Sequence, residues 1–89
     1  MGVAKMAPDD GTQFPNAQRM IGSAIRRFRD EDGATLEQLA RRAGISYQYL
    51  CGIETGKENF SIGIFEKICF ALDRSPATVV MAAYEAAEA

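Results

Sequence analysis

The chain has 89 residues, which is room for one domain with one modest core. Apolar residues make up 47% of it, which excludes compositional disorder, and no apolar stretch approaches the roughly 20 residues that a bilayer-spanning helix needs. The formal charge of −2 lacks the basic excess that usually feeds phosphate binding, although charge can still be gathered on one face.

Residues 1–15 contain Gly2, Pro8, Gly11 and Pro15 with no apolar period, and read as a flexible N-terminal arm ahead of a domain over residues 16–89. The first helix is predicted over Ala17 to Glu31. Ile21, Ala24, Ile25 and Phe28 share one face there, and Gly33 stops the helix. Thr35 with Gln38 three residues on forms a capping box for a second helix, Leu36 to Ala43, which buries Leu39, Ala40 and Ala43. Gly44 follows, Ser46 caps a third helix, and Leu50 and Ile53 point inward from it. Ser61 caps a fourth helix with Ile62, Phe65, Ile68 and Leu72 at core spacing and Cys69 in or near the core. Ser75, with Pro76 at the first helical position, starts a fifth that ends in an alanine-rich tail. Strand-like alternation is absent, so the fold class is all-α.

Two short helices joined by a tight turn must cross steeply with their backbones close. Ala40 supplies the small residue at the crossing, and Gly44 takes the positive φ of the turn without a Cβ penalty. Leu39, Ala43, Ile45, Leu50 and Ile53 supply the apolar inner faces. The combination reads as a helix-turn-helix over about Leu36 to Glu54.

From Ile21 to about Val80 the sequence resembles the Cro/CI (XRE) helix-turn-helix family, in the phrases LEQLARRAGIS, YLCGIETGK and FEKICFAL. The YLCGIE–GKEN–S run is similar to restriction–modification controller proteins, a subgroup of that family. The resemblance implies a compact five-helix, lambda-repressor-like DNA-binding domain that dimerises on paired operator half-sites. It implies a structural pair between Arg29 and Glu54, and a third helix lying in the major groove. The matching DNA-binding positions are Ser46, Tyr47, Gln48, Cys51, Thr55, Lys57 and Asn59. Gln48 is suited to adenine through its amide, and Tyr47 to a thymine methyl or a phosphate. Some residues depart from the family's pattern. Leu36 and Thr55 replace frequent phosphate contacts, Glu58 replaces a basic base reader, and Gly52 removes a reading side chain, as it does in the controllers.

Ile64 and Phe70 stand where relatives usually carry polar residues. With Val80 and Tyr84 they predict an apolar partner surface, for a second copy or another protein. The chain has no histidine, and Cys51 and Cys69 form no CxxC pair, so no zinc site, cofactor, small-molecule substrate or enzymatic activity is expected. The lone cysteines and the early charges at Lys5, Asp9 and Asp10, where a signal peptide would be apolar, suit a cytoplasmic protein without a membrane segment. Two functions fit. One is a bacterial or phage-type transcriptional regulator acting on operator DNA as a homodimer. The other is the same fold repurposed to bind protein, for example an antiactivator that sequesters a transcription factor.

Overall fold

The computed structural model describes residues 17–88, so the expected arm over 1–15 lies outside them. Five helices follow in order: α1 (Ala17–Glu31), α2 (Leu36–Ala43), α3 (Tyr47–Glu54), α4 (Ile62–Ala71) and α5 (Pro76–Glu88). Among the described residues there is no strand, and the fold is all-α as the periodicity predicts.

The helices start where side chains can satisfy their first amides. Thr35 Oγ1 accepts from the Gln38 amide at 3.0 Å while Gln38 Oε1 accepts from the Thr35 amide at 2.9 Å, which completes the capping box. Ser46 accepts from Tyr49 N, Ser61 from Ile64 N and Ser75 from Thr78 N, at 3.0–3.1 Å. Each such cap contributes about 1 kcal/mol. Gly44 closes α2 at φ 73°, and the amides of Gly44 and Ile45 return to the carbonyls of Arg41 and Ala40.

The core takes side chains from every helix: Ala24 and Ile25, then Leu39, Ala40 and Ala43, then Leu50 and Ile53. Phe65, Ile68, Cys69 and Leu72 of α4 join Val79 and Ala83 of α5 to complete it. Burial pushes the Cys69 thiol up to about 11, with the nearby Glu66 carboxylate adding to the shift, so this cysteine is a small apolar filler.

Ile62 corrects the expected core face, because it is 74% exposed. It is the first residue of α4, and a helical side chain leans back toward the N-terminus, here out over the cap. Phe60 takes the inward position instead. It is half-buried, with its ring centroid 6.0 Å from that of Phe65, and the two flank the Ser61 cap as a hydrophobic staple.

Two features fix α1 against the rest. Gly22 is buried on α1 where any Cβ would collide with the Ile53 carbonyl oxygen, so the backbones of α1 and α3 touch. At the turn before α5, Arg74 donates to both Asp32 carboxylate oxygens at 2.8 and 3.1 Å, and its guanidinium lies 4.3 Å from the centre of the Phe28 ring. The hydrogen bonds from Arg74 hold the Asp32 carboxyl below the usual carboxylate range.

Candidate nucleic-acid interface

The inner side of α3 is locked. Arg29 on α1 meets Glu54 at the end of α3 through Nε to Oε2 at 2.8 Å and Nη2 to Oε1 at 2.9 Å, with side chains only 11% and 3% exposed. Arg29 Nη1 also donates to the Ala34 carbonyl at 2.9 Å, so one guanidinium ties α1, α3 and the loop before α2 together. The hydrogen bond to Glu54 raises the Arg29 pKa against the opposing effect of burial. The pair that the resemblance implies is therefore present, and neither buried charge is left alone. Ala40 is buried at the crossing of the two motif helices and Gly44 makes their turn.

The outer side is open. Tyr47 and Gln48, in the first turn of α3, both face outward, with Tyr47 44% exposed. Tyr47 borders a shallow hollow whose other wall is Thr35, Leu36 and Glu37 at the start of α2. Ser46 uses only an acceptor lone pair in capping α3, which leaves its hydroxyl proton able to donate outward. Leu36 is half-buried against the core, so the start of α2 has an apolar anchor where a phosphate contact is frequent in the family. Cys51 is half-buried on the same helix.

The segment after α3 is pinned to it. The amides of Lys57 and Glu58 donate to the Gly52 carbonyl at 2.8 and 3.2 Å, and Tyr49 Oη donates to the Asn59 carbonyl at 3.0 Å. From α1, Gln18 Nε2 donates to the carbonyl of Gly56, which sits at φ 78°. Lys57 and Asn59 are exposed in this segment. The Thr55 hydroxyl donates to the Cys51 carbonyl at 2.9 Å, so a phosphate contact from Thr55 requires that hydroxyl to swing away. Sequence reasoning missed both the Tyr49–Asn59 tie and the seating of Glu58 against Gly52. Neither leaves a periodic signal.

The predicted apolar partner surface is partly corrected. Phe70 is 87% exposed and Tyr84 is exposed, but Ile64 and Val80 are half-buried and lean on the core. Ile64 lies one turn before the fully buried Ile68, and Val80 directly follows the fully buried Val79, so each flanks the inward stripe. Ile62 and Met81 are the exposed apolar residues that the pattern did not mark. Among the described residues no cluster of metal-ligating side chains occurs, and no helix is long and apolar enough to cross a membrane.

A family model described as a helix-turn-helix domain matches residues 21–80. The transcriptional regulator SinR of Bacillus subtilis (strain 168) is 40% identical over 62 residues, 68% of this chain and 56% of that protein. The chain thus spans little more than half the length of this curated relative. A crystal structure of SinR, described as the master regulator for biofilm formation, in complex with DNA is 39% identical with a TM-score of 0.64, covering 67% of this chain and 97% of that one. The clp gene regulator ClgR of Corynebacterium glutamicum matches with a TM-score of 0.78 at 33% identity, over 82% of this chain and 95% of that one. The restriction–modification controller protein C.AhdI of Aeromonas hydrophila matches with a TM-score of 0.68 at 31% identity, over 70% and 94% of the two chains. The chain belongs to the helix-turn-helix domain family and is of the XRE type.

Proposed function

We propose that the protein is a DNA-binding transcription regulator of bacterial or phage type that acts in the cytoplasm and grips operator DNA as a homodimer. The observation that carries this reading is the asymmetry of α3. Its inner side is anchored by a buried bidentate ion pair, while its first turn projects Tyr47 and Gln48 outward with no internal role. A rigidly held helix with an outward N-terminal turn is what major-groove insertion requires. SinR, which shares this sequence pattern, has been crystallised on DNA.

In this reading Tyr47 and Gln48 touch base edges, and Ser46, Lys57 and Asn59 hold phosphates, with Thr55 able to join after rotation. Cys51 lines the same side of the helix. Exposed Phe70 and Tyr84 supply apolar surface for the second copy. Phe70 also keeps open the alternative of a protein-binding module. A gel shift against the protein's own upstream region, repeated across a salt series, tests the primary reading. Binding should weaken steeply with salt and be lost in a Gln48→Ala, Lys57→Ala double variant. Absent or salt-independent binding would reject it, and partner capture lost in Phe70→Glu would then support the alternative.

A further inference from the structure

Gly52 stands in the interior of α3 with ordinary helical backbone, where glycine is a poor helix former and alanine a good one. The backbone gives no reason for it. The reason lies across from it: a Cβ at position 52 would collide with Glu58 Cγ and come within 3.2 Å of Glu58 Cβ. The Glu58 stem therefore lies in the space the missing side chain leaves, and the Glu58 amide is tied to the Gly52 carbonyl. Position 52 follows Gln48 by one helical turn, so the two share a face of α3. Glu58 is exposed, and its carboxylate makes no hydrogen bond or ion pair among the described residues. A bare carboxylate is thus laid onto the face that carries Gln48.

A carboxylate only accepts hydrogen bonds. In the major groove guanine and thymine offer it acceptors, which repel it. Adenine offers an amino group flanked by two acceptors, its own N7 and the O4 of the paired thymine, whereas the cytosine N4 amino group has an acceptor, the O6 of the paired guanine, on one side only. We propose that Gly52 and Glu58 form one specificity element, in which the glycine is the seat and the carboxylate selects a cytosine close to the base that Gln48 reads. This rests on the DNA-binding reading and names a base that reading leaves open.

The test is selection from a randomised duplex library at fixed salt, followed by sequencing, for the wild-type chain, Glu58→Ala, Glu58→Gln and Gly52→Ala. Wild type should enrich a motif with one cytosine position favoured about tenfold over other bases. Glu58→Ala should flatten that position alone, chiefly by tightening binding to sequences that lack the cytosine, since the carboxylate their bases repel is gone. Glu58→Gln should move the preference toward adenine, which an amide pairs bidentately. Gly52→Ala should flatten the same position by displacing the Glu58 stem, with thermal stability kept, and adding Glu58→Ala to it should change nothing further. A Glu58→Ala motif that superposes on wild type at every position overturns the proposal, as does a Gly52→Ala motif that keeps the cytosine. A wild-type chain that enriches no sequence would instead fail the DNA-binding reading itself.

Discussion

The two sides of α3 make an instructive pair. On the inner side Glu54 has Arg29, Leu50 and Ile53 are fully buried, and the backbone of Gly22 lies against Ile53. On the outer side Tyr47, Gln48, Lys57 and Glu58 are exposed, and neither Tyr47 nor Gln48 makes a hydrogen bond or ion pair that holds the fold. Side chains on the inner face answer to the rest of this chain. Those on the outer face answer to something outside it, and the same eight-residue helix serves both because opposite faces of a helix are independent.

Substitutions should split along that line. The largest effect belongs to Glu54→Ala, which leaves the Arg29 guanidinium buried without its carboxylate and should cost about 3–5 kcal/mol in urea unfolding. That is comparable to the whole stability of a small domain. Replacing Arg29 and Glu54 together by apolar residues should recover most of it; no recovery would mean that the pair matters for more than its charge balance. Next comes Gly22→Ala, in which a single methyl meets backbone that has no rotamer to yield, a loss of about 1–3 kcal/mol by thermal melting. An unchanged melting temperature would show that α1 can slide on α3.

On the outer face Gln48→Ala should leave stability within about 0.5 kcal/mol while lowering operator affinity by roughly tenfold. A destabilised Gln48→Ala would blur the division between the two faces. The smallest effect is expected at Asp32. Arg74 depresses its folded pKa, so the stabilisation is fully present above the ordinary carboxylate range and is lost as pH falls through the lowered folded value. Asp32→Asn should flatten the acid limb of the melting temperature against pH, and a limb unchanged from wild type would assign it to other carboxylates.

Local chemistry carried most of the fold. Thr35 with Gln38, Ser46, Ser61 and Ser75 with Pro76 mark helix starts in the sequence, and α1 and α2 end where Gly33 and Gly44 say they must. Helical period failed at Ile62, Ile64 and Val80, each one position or one turn from a residue that is truly inward. A stripe on a short helix tolerates such a shift, and the staple from Phe60 decides the matter from outside the period. Within the site, Tyr47 and Gln48 were legible because the motif forces them outward. The Glu58 seat on Gly52 was not, because a contact across a turn has no spacing rule.

Gly22 carries one more consequence. Where two helices meet through side chains, small displacements are absorbed by rotamers. Where backbone meets backbone, as Gly22 does at Ile53, nothing is available to absorb them. The amides of α1 and α3 therefore belong to one cooperative unit, and hydrogen exchange in the two should proceed through a shared opening. The helix that faces outward inherits the rigidity of the longest helix in the fold.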